Sequence, residues 1–247
     1  MIRIILLVAI VLCVLCGLSA CTGRSGKTGS GEGENKPLRF TLTEVWSTDT
    51  LLRTPESVIY DDKRDVIYVT NVNMEPRKKD GNGFISRISA DGSILDLKWI
   101  EGLHAPKGTA VTGDSLYVAD IDELVVVDIN KGKIARKVTI EGIGMINDIT
   151  SDSEGNLYVS DTDAGKIYKY SSGKLTTWLG EGLNLPNGLL AEDDRILLAS
   201  MGSSDLVAVD LETKSRTPLA DSLNRADGIA FFGIEDYYIL TEWAGEI

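Results

Sequence analysis

A unit of about forty residues recurs along this chain and constrains its fold more than any other feature. Similar tetrapeptides mark the start of each unit: PESV (55–58), PKGT (106–109), INDI (146–149), PNGL (186–189) and ADGI (226–229). Pro, Asn, Asp and Gly favour turns, so we interpret each tetrapeptide as a turn that opens a unit. Turn formation alone would not require such regular spacing.

Each unit carries signals for four short strands. The second signal is the strongest, because Tyr, Val and Leu dominate segments such as SLYVAD (115–120) and NLYVSD (156–161). The third, as in ELVVVDINKG (123–132), ends in a hairpin-like turn, and a fourth, as in KLTTWLGEG (174–182), leads to the next unit. This pattern predicts an all-β fold, a β-propeller of four-stranded blades stacked around an axis. A sandwich or barrel is the alternative, but neither explains the period.

The repeat spans residues 38–247 and stops inside its fifth unit. We expect the segment FTLTEVWST (40–48) to supply an outer strand that closes the ring onto the last blade. Even with this strand, about half a blade is missing from five. The pattern therefore predicts a C-terminally incomplete propeller, from a fragment or a truncated product.

Residues 1–20 have the layout of a lipoprotein signal peptide. An apolar run at 4–18 is short for a membrane span, and LSAC (18–21) resembles the lipobox in which the cysteine, here Cys21, is lipidated. An ordinary cleavage site with a chance cysteine is the alternative. The Gly/Ser-rich stretch after the cysteine, up to residue 37, predicts a flexible tether. We thus expect a lipid anchor in the cell envelope, and Thr22, rather than Asp, favours the outer membrane in a diderm bacterium.

Composition excludes several classes of function. A formal net charge of -12 argues against binding to nucleic acid, which depends on cationic side chains. Cys13, Cys16 and Cys21 all precede the repeats, so the predicted propeller has neither a disulfide nor a thiol nucleophile. His104 is the single histidine, which argues against a histidine-based metal site. No serine nucleophile elbow, phosphate loop or dinucleotide fingerprint is present.

The second residue of each tetrapeptide occupies the same phase of the repeat. In order these residues are Glu56, Lys107, Asn147, Asn187 and Asp227. Equivalent positions in a propeller form a ring at one end of the central channel, and four of these five carry a side-chain oxygen. Two carboxylates and two amide carbonyls suit Ca²⁺ or Mg²⁺. Because Ca²⁺ takes more than four oxygens, such a site would keep positions for water and substrate.

These tetrapeptides resemble those of the senescence marker protein/gluconolactonase/luciferin-regenerating enzyme-like family, and the resemblance covers nearly all of the predicted mature chain. That family consists of six-bladed propellers with a catalytic divalent cation, usually calcium, in the channel. The resemblance implies that Glu56, Asn147, Asn187 and Asp227 are the metal ligands. It also implies that Asp227 is the general base or nucleophile.

Two departures from the family matter. Members that hydrolyse sugar lactones commonly carry an Arg two residues before the third-blade Asn, where this chain has Met145. This difference favours a substrate less polar than an aldonolactone. The other departure is the missing C-terminal part, which completes the channel wall in the family.

The function that the resemblance implies is calcium-dependent hydrolysis of a lactone or related ester. The alternative is a non-enzymatic propeller, a binding or scaffold module whose metal is structural or absent. His104 would bind substrate near the channel mouth or be an ordinary loop histidine. Lys107 would pair with the ring carboxylates, hold an anionic substrate or be a turn lysine.

Two further features are interpreted as structural. Asn71, Asp120 and Asp161 end the second strands of the first three units, where a turn-forming role is the better interpretation. The polar, Gly-rich segment 71–83 lengthens the first unit and predicts a surface loop or a lid.

Overall fold

The computed structural model describes residues 9–12, 43–48, 50–139, 141–234 and 237–243. Their regular secondary structure consists of β-strands, and no helix in these ranges is long and apolar enough to span a membrane. Cys21 and the predicted tether lie outside the described residues. Their processing and lipidation stay predictions.

Four antiparallel sheets of four strands follow one another along the chain, each with its strands in sequence order. The first contains β2 (Pro55–Asp61), β3 (Val66–Asn71), β4 (Gly83–Ser89) and β5 (Ile94–Leu103). The second contains β6 (Pro106–Thr112), β7 (Ser115–Asp120), β8 (Glu123–Asp128) and β9 (Lys133–Val138). The third contains β10 (Ile146–Ser151), β11 (Leu157–Asp161), β12 (Lys166–Ser171) and β13 (Lys174–Leu179). The fourth contains β14 (Pro186–Ala191), β15 (Arg195–Ser200), β16 (Asp205–Asp210) and β17 (Arg216–Ala220).

A fifth sheet contains two strands of the last unit, β18 (Ala226–Phe231) and β19 (Tyr237–Glu242). Its third strand, β1 (Ala9–Leu12), comes from the predicted signal peptide and pairs antiparallel with β19. An unpaired strand edge readily accepts another β-forming segment, which explains this pairing. Removal of residues 1–20 as a signal peptide, which stays a prediction, would abolish this pairing.

The five sheets are the blades of a β-propeller, as the forty-residue period predicts. Their first strands lie next to one another in chain order. An apolar cluster fills each interface between adjacent blades: Tyr68 packs with Leu116 between the first two, and Ile167 packs with Leu198 between the third and fourth. The blades therefore bury their faces against one another, as repeats that cannot form a core alone must do.

The tetrapeptides are not turns, contrary to the sequence-based interpretation. Each one begins the first, innermost strand of its blade and contains a β-bulge. In the first blade Pro55 pairs with Asn71 and Val58 with Val69, so that two residues oppose one. Asn, Asp and Gly recur there because a bulge requires local backbone freedom within a strand.

The expectation that FTLTEVWST (40–48) forms an outer strand of the last blade is wrong for its described part. Residues 43–48 form no strand. The Trp46 ring instead lies against the turn at Gly92 in the first blade, where a Cβ would come within 2.6 Å of the ring. A glycine with a φ of +88° gives this indole a surface on which to pack, which explains the different position.

Candidate functional site

In each of the first three blades, an acceptor side chain at the end of the second strand binds the backbone just before the ring residue. Asn71 Oδ1 accepts the Arg53 N–H at 2.8 Å, and Asp120 Oδ1 accepts the Ala105 N–H at 2.7 Å. Asp161 acts in the same way in the third blade. The structural role predicted for these residues takes the form of a turn only at Asp161, whose Oδ1 also accepts the Ala164 N–H three residues on. Asn71 and Asp120 instead bind the segment that leads into the first strand of their blade.

Hydroxyl groups fix the bulge itself in alternate blades. The residue after the ring position donates its N–H to a hydroxyl on the second strand in three pairs, each at 2.9 Å: Ser57 to Thr70, Asp148 to Ser160 and Gly228 to Thr241. These bonds satisfy the donor that the bulge removes from the strand ladder. The ring side chains are thus held on rigid strands rather than on loops.

Two predicted ligands are in direct contact at the ring. Asn187 Nδ2 donates to Asp227 Oδ1 at 2.6 Å, which joins the innermost strands of the fourth and fifth blades. In this orientation the bond uses Asn187 Nδ2 and Asp227 Oδ1 and involves neither Asn187 Oδ1 nor Asp227 Oδ2. One amide oxygen and one carboxylate oxygen therefore remain as acceptors at this point of the ring.

The pKa of the Asp227 carboxyl group is raised above its ordinary value. Removal from bulk water is the main cause, while the Asn187 hydrogen bond and the Arg225 charge act in the opposite direction. A nearby cation would favour the ionised form and lower this pKa.

Glu56 occupies the ring position of the first blade. The residue is exposed at its surface, yet the protein groups around its carboxyl group reduce its hydration and raise its pKa to about 8. The Lys107 ammonium opposes this rise, whereas the carboxylates of Asp227 and Asp148 add to it. Glu56, Asp148 and Asp227 thus interact electrostatically across three blades.

Asp148 is a functional candidate that the sequence reasoning missed. Its Oδ1 accepts the Ile149 N–H and its Oδ2 accepts the Leu189 N–H, both at 2.8 Å, so the carboxylate joins the third blade to the fourth. Burial raises its pKa to about 7, although both hydrogen bonds lower it. The available signal was an acid at a phase of the repeat where the other units have Ser or Gly.

Asn147, the remaining predicted ligand, lies in the corresponding bulge of β10. Its side chain is buried and makes no hydrogen bond to another described residue. Its role as a ligand is therefore based on its register with Asn187 and not on a contact.

Lys107 and His104 bind the long loop of the first blade. Lys107 Nζ donates to the carbonyl oxygens of Pro76 and Ala105, at 2.8 and 3.0 Å, and is buried. His104 Nδ1 accepts the Gly81 N–H at 3.2 Å. These contacts account for both side chains without a substrate, whose binding by them stays a prediction.

Residues 72–82, which we call the lid, cross from the first blade to the third. Arg77 forms two hydrogen bonds with the Asp163 carboxylate in the third blade, at 2.7 and 3.1 Å. Lys79 contacts Asp122 in the second blade at 2.5 Å. Because the lid leaves β3 at the same end of the blades as the ring, it covers the ring on the side of the first and second blades.

The donor chemistry of the ring fits a hard divalent cation. Among the described residues no three His, Cys, Asp or Glu side chains are grouped as metal ligands, so a cation would need amide oxygens as well. Asn187 Oδ1 and Asp227 Oδ2 are such a mixed pair, and Glu56 adds a second carboxylate. Oxygen ligands of this kind suit Ca²⁺ and Mg²⁺.

No protein-family model and no curated protein sequence matches the chain. Among solved structures it is similar to a propeller in the nidogen/laminin complex, with a TM-score of 0.64, 20% identity and coverage of 78% of this chain and 73% of the other. It is also similar to virginiamycin B lyase from Staphylococcus aureus, with a TM-score of 0.56, 17% identity and coverage of 77% and 78%. A streptogramin B lyase gives a TM-score of 0.58 at 16% identity, with coverage of 76% and 64%. At these identities the similarities show the fold alone, and on that evidence the chain is a β-propeller.

Proposed function

We propose that the protein is a calcium-dependent hydrolase of a lactone or related ester, held outside the cytoplasm by a lipid on Cys21. The contact between Asn187 and Asp227 is the observation that best supports this proposal. It joins two blades at the phase of the repeat where sequence reasoning expects ligands. The contact does not involve the second oxygen of either side chain, and each of these oxygens is an acceptor that a cation can use.

The electrostatics of the ring support a cation as the missing partner. Loss of hydration raises the pKa of Glu56, Asp148 and Asp227, and the Asp227 charge raises the pKa of the other two further. Ionisation of all three carboxyl groups together is therefore unfavourable. A divalent cation, Ca²⁺ or Mg²⁺, would remove this penalty. Glu56, Asn147, Asn187 and Asp227 would hold it.

The bound cation would polarise the carbonyl group of the substrate. Asp227 would accept a proton from the attacking water and pass it to the leaving alkoxide oxygen as the acyl C–O bond breaks. Alternatively, it would attack the carbonyl itself, expel that alkoxide and form an acyl-enzyme that water then hydrolyses. Asn187 fixes the Asp227 carboxylate through its other oxygen. Asp148 positions the innermost strand of the fourth blade, which carries Asn187, through the Leu189 N–H.

Turnover of a panel of lactones and esters, with calcium or with a chelator, tests this proposal. We expect chelator-sensitive hydrolysis, and Asp227→Asn should lower kcat by about a hundredfold to ten-thousandfold because it removes a base. This variant keeps an oxygen ligand and should still bind calcium in calorimetry. Glu56→Gln is the matched control: it should mainly weaken calcium binding, so that added calcium partly restores the rate.

A non-enzymatic binding module is the second candidate function. The similarity to a propeller solved in a nidogen/laminin complex favours it, since that structure is a protein assembly. If wild type hydrolyses nothing in the panel, the hydrolase proposal is wrong and the binding module replaces it. If Asp227→Asn matches wild type at saturating calcium, the catalytic role of Asp227 is wrong.

A further inference from the structure

A second circle of side chains lies just outside the ring, and we call it the rim. Each blade contributes the residue two positions before its ring residue and the residue that follows its second strand. The rim consists of Thr54 and Val72, Ala105 and Ile121, Met145 and Thr162, Leu185 and Met201, and Arg225 and Trp243. In four blades a backbone hydrogen bond of 2.9 to 3.1 Å joins the two members, as between Leu185 and Met201.

The rim is closed on the first and second blades. Val72, Ala105 and Ile121 form one buried apolar cluster there, with exposed fractions of 2%, 0% and 8%. The lid continues directly from Val72. Thr54 is the exposed rim member here, so on this side the rim offers a ligand one polar side chain and no apolar surface.

The rim is open on the fourth and fifth blades. Leu185 is 39% exposed and Trp243 is 60% exposed. The Arg225 guanidinium lies 4.2 Å from the centroid of the Trp243 ring, and its Nη2 contacts Met201 Sδ at 3.0 Å. Arg225 forms no ion pair with any described residue.

This combination has the features of a ligand subsite. A guanidinium stacked on an indole keeps donors in its plane for an acceptor such as a carbonyl oxygen. A thioether is a weak acceptor, so the contact with Met201 is readily exchanged for a stronger one. Leu185 and Met201 offer apolar surface beside the guanidinium.

The subsite is continuous with the candidate site. Arg225 precedes the ring residue Asp227 by two positions, and its charge acts on that carboxylate. Leu185 has the same relation to Asn187 in the neighbouring blade. A molecule whose reacting group lies at Asn187 and Asp227 would therefore extend over the open rim.

We propose that Leu185, Met201 and Trp243 contact the apolar chain of an amphipathic lactone or ester, and that Arg225 donates to the carbonyl oxygen of the same molecule. The substrate class is then an alkyl-substituted lactone or ester rather than a polyhydroxylated sugar lactone. This assignment rests on the proposed function for the identity of the reacting group. The binding of the chain can nevertheless be measured without hydrolysis.

Calorimetric binding of γ-lactams, which resist hydrolysis, tests the subsite with the full chain. Affinity should rise from a methyl- to a hexyl-substituted γ-lactam, by about fourfold for each fully buried methylene. Leu185→Ser should flatten this dependence on chain length. Arg225→Gln should weaken binding of both compounds about tenfold, whereas Arg225→Lys should restore little because it lacks the planar fork.

Arg136→Gln is the matched control, since Arg136 is also stacked on an aromatic ring, 5.4 Å from the centroid of Tyr170, but lies on the outermost strand of the second blade. This variant should bind both γ-lactams like wild type. Unchanged thermal unfolding verifies the fold of every variant. An equal affinity for both γ-lactams in wild type, or no effect of Leu185→Ser and Arg225→Gln, would overturn the subsite.

The two proposals fail separately. If wild type hydrolyses no ester but binds the hexyl compound through these residues, the subsite stands and the hydrolase does not. If wild type hydrolyses short lactones without preference for a chain, the hydrolase stands and the subsite is wrong.

Discussion

The ring has a covered side and an open side, and they differ in charge and in access. On the covered side, the first and second blades, Glu56 lies near the Lys107 charge and the lid lies above. On the open side, the fourth and fifth blades, Asn187 is hydrogen-bonded to Asp227 below an exposed rim. The same repeat therefore places opposite charges beneath the lid on one side of the ring and leaves the rim exposed to solvent on the other.

The two sides also differ in how the innermost strands of adjacent blades contact each other. Inner strands of adjacent blades must approach closely in both places, but they do so by different means. On the covered side Ser57 and Thr109 share a hydrogen bond of 3.2 Å. On the open side Gly188 lies directly against the backbone of Asp227, where an added Cβ would come within 2.0 Å of the carbonyl oxygen.

The largest expected effect on stability comes from a substitution at the contact between the fourth and fifth blades, on the open side. Gly188→Ala should destabilise the protein by about 3 kcal/mol, because a rigid carbonyl must move to make room for the new methyl group. For a chain of this size that is a fall in Tm of roughly 6 to 12 °C in calorimetry. Ser57→Ala, the counterpart on the covered side, should cost about 1 kcal/mol, since it removes a single hydrogen bond. Equal effects of the two variants would show that the blades do not differ in this way.

A smaller effect concerns two carboxyl groups with raised pKa values in the metal-free protein, Glu56 on the covered side and Asp148 in the third blade. Loss of hydration raises the pKa of Glu56 to about 8 and that of Asp148 to about 7, above the values of these side chains in an unfolded chain. The folded state thus holds protons that the unfolded state has released, so stability falls as pH rises from about 4 to about 8. With chelator present, Tm should be lower at pH 8 than at pH 5, and calcium should reverse the loss at pH 8.

Glu56→Gln is the control for this pH dependence, because it keeps the size of the side chain and removes the titrating group. It should reduce the fall in Tm between pH 5 and pH 8 in chelator. A Tm that rises with pH in wild type would contradict the raised pKa values.

The smallest effect concerns the lid. Arg77→Gln removes an ion pair with Asp163 whose side chains are both more than a third exposed, so it should cost at most about 1 kcal/mol. Hydrogen exchange within residues 72–82 should nevertheless become faster, since the end of the lid is released. Lys63→Gln is the matched control, because its pair with Asp114 is equally exposed but lies at the opposite end of the blades. Unchanged exchange in Arg77→Gln would show that this pair does not hold the lid.

Much of the fold followed from the period of the repeat, but its bulges did not. Four strand signals per unit predict the blades, and the structure confirms them in four complete sheets. The tetrapeptides were mistaken for turns because a bulge and a turn select the same residues, such as Asn187 and Gly188. Local sequence preference cannot separate these two uses of backbone freedom.

The site was predictable only where it repeats. Equivalent phase in the repeat brings Asn187 to Asp227, and this contact is observed. Asp148 was missed because it lies one residue after the ring phase and its partner, the Leu189 N–H, is a backbone group that no side-chain pattern reveals. The path of the lid was likewise hidden, since Arg77 and Asp163 are 86 residues apart and neither belongs to the repeated pattern.

The lid also changes how the blades depend on one another. In stacked repeats each unit contacts only its neighbours, so stability is a sum of separate units and interfaces. Arg77 in the first blade bypasses the second and contacts Asp163 in the third. The first and third blades are therefore coupled beyond nearest neighbours, through an exposed ion pair that contributes at most about 1 kcal/mol.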